Sequence, residues 1–159
     1  MNENKIEQIL QQIENDPENI SLYVQYKNLC IQSKLYAEAE EAFQFISDTV
    51  NEKLQEALQT TGQIPDLGLG ETVFQYLSKN YYEWGMHIYK YQPERTKDVI
   101  ALFKLSIDSD KEFDKVYEPL AEIYFSLNQF ENWLDTSEKA ITFQKNKKLK
   151  IETLLKMKE

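Results

Sequence analysis

Residues 114–145 read DKVYEPLAEIYFSLNQFENWLDTSEKAITFQK, and this stretch decides the fold. Tyr117, Leu120, Ala121 and Tyr124 recur every three or four residues, the spacing that places side chains on one face of an α-helix. A short turn around Asn128 ends that run, and a second helix is predicted over 130–143, with the small Ala140 late in it. Two helices joined by so short a link must lie antiparallel.

Working outward, the same period governs nearly the whole chain. Ile6, Ile9, Leu10 and Ile13 form one apolar stripe over 3–14, and Asn15-Asp16-Pro17 stops it because Pro cannot continue a helix. Leu22, Tyr23, Tyr26, Leu29 and Cys30 mark a helix over 19–32. Residues 36–59 contain no Gly or Pro and carry apolar positions from Ala39 to Leu58, so one long helix is expected there. The segment 60–70 holds three of the four glycines and Pro65 and reads as a loop. Phe74, Leu77, Tyr81, Trp84, Ile88 and Tyr91 then predict a helix of about twenty residues. Further helices are expected near 95–108, 114–126 and 130–143, and a last one at 147–157 through Leu149, Ile151, Leu154 and Leu155. The expectation is about eight helices and no strand.

These segments are self-similar, and 114–145 resembles a tetratricopeptide repeat. Tyr117, Leu120, Ala121 and Tyr124 fall on the W-x2-L-G-x2-Y positions of its first helix. Asn128 and Phe130 fall at its turn, and Ala140 on the late small position of its second helix. Residues 20–51 match the same frame through Tyr23, Tyr26, Tyr36, Ala39 and Phe43. Residues 78–111 match through Tyr81, Trp84, Gly85, Ile88, Val99, Phe103 and Ser106. Tyr81 and Tyr117 stand 36 residues apart, two more than one repeat, whereas Tyr23 and Tyr81 stand 58 apart, a surplus of 24. An extended second helix and the Gly-rich loop account for that surplus.

The resemblance implies an all-α, antiparallel helix-pair solenoid forming a single domain over 1–159. Its expected parts are a half-repeat helix at 3–14, unit 1 at 20–59, the loop at 60–70, unit 2 at 71–111, unit 3 at 112–145 and a basic capping helix at 146–159. Small residues such as Gly85, Ala39, Ala121 and Ala140 let helices approach while large ones fill the space between turns. Lys27 at a small-residue position, Trp133 in place of Ala and Ser137 in place of Phe depart from the pattern.

Composition narrows the function. The 159 residues carry a formal charge of −9, which argues against nucleic acid as a partner, since phosphate contacts need excess Lys and Arg. The charge is uneven: residues 145–159 hold six Lys against two Glu, leaving −13 over residues 1–144. That basic end reads as a solvated helix or as a tether to an acidic surface. No apolar run approaches the length of a membrane span and no signal peptide is evident, so the expected location is cytoplasmic, or an organelle matrix.

No cofactor and no metal is expected. Cys30 is the only cysteine and His87 the only histidine, so neither a metal set nor a nucleophilic triad can be assembled. His87 reads as a packed structural residue. Glu38, Glu40 and Glu41, like Asp108 and Asp110, diverge around their helices and read as solvated faces. Gly68-Leu69-Gly70-Glu71 precedes a helix but lacks the Lys and the strand of a phosphate-binding turn. Catalytic residues are therefore not expected, and the chain does not read as an enzyme.

In tetratricopeptide-like proteins the first helix of each pair lines a concave groove. Carried over by register, the groove positions are Val24, Asn28 and Ile31; then Lys79, Tyr82, Met86 and Tyr89; then Lys115, Glu118, Glu122 and Phe125. The resemblance thus implies a protein-interaction module or adaptor that takes a peptide or helix with apolar anchors and some positive charge. The clamp that grips acidic chaperone tails is not expected, because Glu118 and Glu122 stand where it needs cations. Tyr82 and Tyr89 have a second reading as core residues. The alternative function is a non-catalytic structural subunit of a larger assembly, held by its convex face, its ends or the 60–70 loop.

Overall fold

A computed structural model describes residues 2–157. Seven α-helices follow one another: α1 (Asn2–Asn15), α2 (Ile20–Gln32), α3 (Tyr36–Thr60), α4 (Val73–Tyr91), α5 (Thr96–Ser109), α6 (Tyr117–Ser126) and α7 (Phe130–Met157). A single 3-10 turn, Asp114–Val116, leads into α6. Each helix packs on its neighbour in sequence, which makes the fold a stack of antiparallel helix pairs rather than a closed bundle. The described residues contain no strand. The fold is a tetratricopeptide-like solenoid.

Local chemistry sets the helix ends. Asn19 caps α2 by accepting from the Ser21 amide at 3.1 Å, and Thr72 and Gln75 form a reciprocal capping box on α4. Lys34 and Asn128, the residues that close the α2–α3 and α6–α7 turns, both take positive φ, 61° and 59°. Asn tolerates that region better than most residues because its short amide bonds locally. Pro119 lies in the first turn of α6, where no intrahelical N–H is required of it.

Equivalent positions behave alike. Tyr23 and Tyr117, which share the first aromatic position of the repeat, each donate their hydroxyl to a carbonyl six residues upstream: Pro17 at 3.0 Å and Lys111 at 2.9 Å. Tyr81 has the same position in its helix, but there the upstream residues belong to α4 itself. Its hydroxyl instead accepts from Asn51 Nδ2 at 3.1 Å, a residue of the extended part of α3.

The core runs through the middle of the stack, from Ile46, Val50 and Leu54 on α3 through Ile88 and Phe103 to Val116 and Ile123. Its tightest contact is α4 on α5. Gly85 faces Phe103, and Ser78 and Ser106 exchange hydroxyl-to-carbonyl hydrogen bonds of 2.8 Å in both directions with neither residue exposed. Asn80, also buried, donates to the Phe43 carbonyl at 3.1 Å and ties α4 to α3.

Two expectations need correction. The helices expected at 130–143 and 146–159 are one: α7 continues unbroken from Phe130 to Met157. Residues 143–147, Phe-Gln-Lys-Asn-Lys, contain no Gly or Pro, and a change from acidic to basic composition does not terminate a helix. Leu10, placed on the apolar stripe of α1, is 42% exposed and does not share the burial of that stripe: α1 buries Ile9 and half-buries Ile6 and Ile13. Residues 158 and 159 lie outside the described residues.

Candidate functional site

A cleft of about 690 Å³ opens between α2 and α4, with Phe43 of α3 at its base. From α2 it takes Lys27, Asn28 and Ile31, and from α4 it takes Tyr82, Met86 and Tyr89. The i, i+4, i+7 spacing of Tyr82, Met86 and Tyr89 puts them on one helical face. Asn28 and Tyr89 are exposed, whereas Ile31, Tyr82 and Met86 are half-buried. Most of the accessible lining is apolar, with a few polar groups at the edges.

The walls are held by an aromatic cluster that sequence reading does not reveal. Tyr36 stacks on Tyr91 at 3.8 Å, and His87 sits against both Tyr91 (5.1 Å) and Phe43 (5.5 Å). His87 Nε2 lies 3.1 Å from the Tyr36 carbonyl, which fixes that nitrogen as the N–H donor in the neutral ring. Its Nδ1 is buried without a partner. His87 is therefore a packing residue that joins α3 to α4.

Lys27 is buried, with its ammonium 4.8 Å from the centre of the Phe43 ring and 3.5 Å from Glu83. A lysine fits the small-residue position because its stem packs along the helices and its charge meets both a ring face and a carboxylate. Behind the cleft, Glu40 accepts from Arg95 Nη1 at 2.7 Å and Nη2 at 2.9 Å, and from Trp84 Nε1 at 3.3 Å. The Arg95 hydrogen bonds hold the Glu40 carboxyl below its usual range against the opposing effect of burial. Glu40 is thus a half-buried ion-pair residue and not part of a solvated face.

The remaining groove positions do not gather here. Lys79 lines a smaller depression with Val24, and its ammonium is 3.2 Å from Glu71, so its charge is already engaged. Glu118 and Glu122 are exposed on α6, and Lys115 is exposed on the 3-10 turn before it. None of the three lines the cleft. Phe125 is 53% exposed and packs edge-on against Phe130 (5.7 Å) and Trp133 (5.3 Å) at the far end of the stack. Tyr82 serves both sides: its ring packs on Phe103 at 6.0 Å and edge-on to Phe113 at 5.4 Å while one edge faces the cleft.

Chemistry beyond binding finds little support. Cys30 is fully buried, and burial pushes its thiol above the ordinary range, which makes it a poor nucleophile. Tyr26, one helical turn before that thiol, is raised to about 12, chiefly by its own burial. Among the described residues no group of three or more His, Cys, Asp or Glu is placed to hold a metal ion, and no helix is long and apolar enough to cross a membrane.

No protein-family model matches the sequence, and no curated protein matches it. Among solved structures, a crystal structure of MamA is similar over 87% of this chain with a TM-score of 0.58 and 14% identity. MamA MSR-1 C2 is similar over 92% of this chain, with a TM-score of 0.57 and 15% identity. The chain spans 62% of the first of these structures and 69% of the second. MamA is a tetratricopeptide-type protein, and at this identity the likeness concerns the fold.

Proposed function

We propose that the protein is a non-catalytic interaction module that receives an extended or helical peptide in the α2–α4 cleft. The observation that carries this reading is the convergence of Asn28, Ile31, Met86 and Tyr89, from two helices, on one open apolar cleft. Such a cleft suits two apolar anchor residues spaced along a peptide, with Asn28 at the rim able to bond its backbone. The cleft itself carries Lys27 and Lys90 against Glu83. A positive charge on the ligand would therefore be selected beyond the cleft, by the exposed Glu118 and Glu122 of α6, and not within it.

The test is selection from a displayed library of random peptides against the purified protein. Enriched peptides should share two apolar or aromatic positions, and Met86→Ala with Tyr89→Ala should reduce their binding at least tenfold at unchanged helicity. Met86 and Tyr89 are the appropriate pair because Tyr82 also supports Phe103 and Phe113, so its loss would damage the fold. Undiminished binding by the double variant would exclude the cleft.

A further inference from the structure

Helix α7 is longer than the element it packs against. Its inner face covers α6 through Thr136, Ala140 and Phe143, the last stacked on Tyr117 at 5.2 Å. Lys147 pairs with Asp114, at the very start of the 3-10 turn. Beyond it the ten residues 148–157 overhang by about 15 Å. Ile151 (57% exposed) and Leu155 (60%) lie on that overhang.

A second face of α7 is exposed along its length except at the half-buried Ser137. Taken in steps of four and three from 130 to 155, it reads Phe130, Leu134, Ser137, Ile141, Gln144, Lys148, Ile151 and Leu155. That is the 3.5-residue period of a helix prepared to pair with another helix. The stripe is apolar at both ends and mostly polar in the middle: Phe130, Leu134 and Ile141 are each more than half exposed, like Ile151 and Leu155. Charge is divided along the same axis. Residues 130–144 carry three carboxylates against Lys139, and residues 145–157 carry five Lys against Glu152.

We infer that this face of α7 pairs antiparallel with α7 of a second copy of the chain. Reversal about a two-fold axis brings the apolar start of each helix onto the apolar overhang of the other. It also sets the acidic half of each helix against the basic half of its partner. A parallel pair would oppose basic end to basic end. Complementarity to its own reversed image is what an isologous interface requires. A strip about 42 Å long and about 10–12 Å wide per copy puts the total buried area at the low end for a specific interface, about 1,000 Å². The pairing is therefore reversible and concentration-dependent.

Light scattering coupled to size-exclusion chromatography tests it. With rising concentration the mass should move from the 18.9 kDa monomer to twice that value. Ile151→Lys with Leu155→Lys should shift the transition at least tenfold upward in concentration while leaving the circular dichroism unchanged, since both residues are exposed in the monomer. Orientation is read by oxidative cross-linking. Leu134→Cys and Ile151→Cys chains should cross-link when mixed and not alone, because reversal sets Leu134 opposite Ile151 while two copies of position 134 lie about 26 Å apart in an antiparallel pair. Cys30, fully buried, takes no part. A monomer at every concentration, a dimer indifferent to the Lys pair, or cross-linking of either single-Cys chain with itself would each overturn the inference.

Discussion

Replacing Gly85 with Ala is the sharpest test of how α4 and α5 pack, because two effects of known sign oppose each other. In the middle of an exposed helix the change would stabilise by about 1 kcal/mol, through helix propensity alone. Here the added Cβ would sit 2.6 Å from Phe103 Cε1 and 2.8 Å from Cδ1, with Leu102 Cβ at 3.5 Å. Carbon atoms rest about 3.5–4.0 Å apart, so the ring would have to retreat by about 1 Å. Phe103 is fully buried and Tyr82 packs on it, which leaves the ring no open direction. Overpacking of this kind costs about 1–3 kcal/mol. The net expectation is a loss of up to about 2 kcal/mol, opposite in sign to the propensity effect.

Urea denaturation followed by circular dichroism reads the difference as a lower midpoint at unchanged slope. The second measurement puts Gly85→Ala into a Phe103→Leu background, where Cε1, the nearer of the two clashing atoms, is gone and the flexible Cδ carbons can turn away. There the same change should become neutral or stabilising, giving a coupling energy of about 1–3 kcal/mol between the two sites. If Gly85→Ala raises the wild-type midpoint, or costs the same in both backgrounds, the close approach of α4 and α5 does not explain the glycine.

The Glu40–Arg95 pair gives stability a dependence on acid. Because Arg95 holds the folded-state pKa of Glu40 below its unfolded value of about 4.3, the contribution is fully present above that value and is lost as pH falls through the lower folded one. Stability should therefore rise with pH across that acidic window. Glu40→Gln should flatten the profile by the share due to this carboxylate and cost about 1.5–3 kcal/mol at neutral pH, measured by urea midpoints from pH 2 upward; an unchanged slope would contradict the assignment. The Ser78–Ser106 exchange predicts about 0.5–1.5 kcal/mol lost for Ser106→Ala, read as a lower thermal midpoint, and a larger loss for Ser106→Val, whose extra methyl group has no room at a fully buried α4–α5 contact.

What the sequence made legible was whatever repeats. Tyr23 and Tyr117 sit at equivalent positions and make equivalent hydrogen bonds, so a pattern match carried real structural content. Gly85 was legible for the same reason, as a small residue in a frame that demands one. The α4 side of the cleft followed from register, since Tyr82, Met86 and Tyr89 share a face by helical geometry alone. Contacts between distant positions were not legible. Glu40 stands between Glu38 and Glu41 and looks like part of a charge run. Its partner Arg95 is 55 positions away, and only the packing of the α4–α5 turn behind α3 brings them together. Lys27 was visible only as a departure from the repeat, because neither Phe43 nor Glu83 announces itself as its neighbour.

The misplaced boundary in α7 follows from the same distinction and bears on function. The repeat frame closes unit 3 at 145 and so implies a separate capping helix after it, although nothing there breaks a helix. Once the helix is continuous, its two halves must be read together. The opposite charges and the two apolar ends then become features of one rod, 28 residues long, with only its first part packed on α6. A separate capping helix would have folded Ile151 and Leu155 back onto the end of the stack, beside Phe125 and Trp133. The continuous helix carries them away from it and leaves both groups exposed. Covering them takes another surface, and the one surface whose charge and apolar pattern are fixed by this same sequence is α7 itself, reversed.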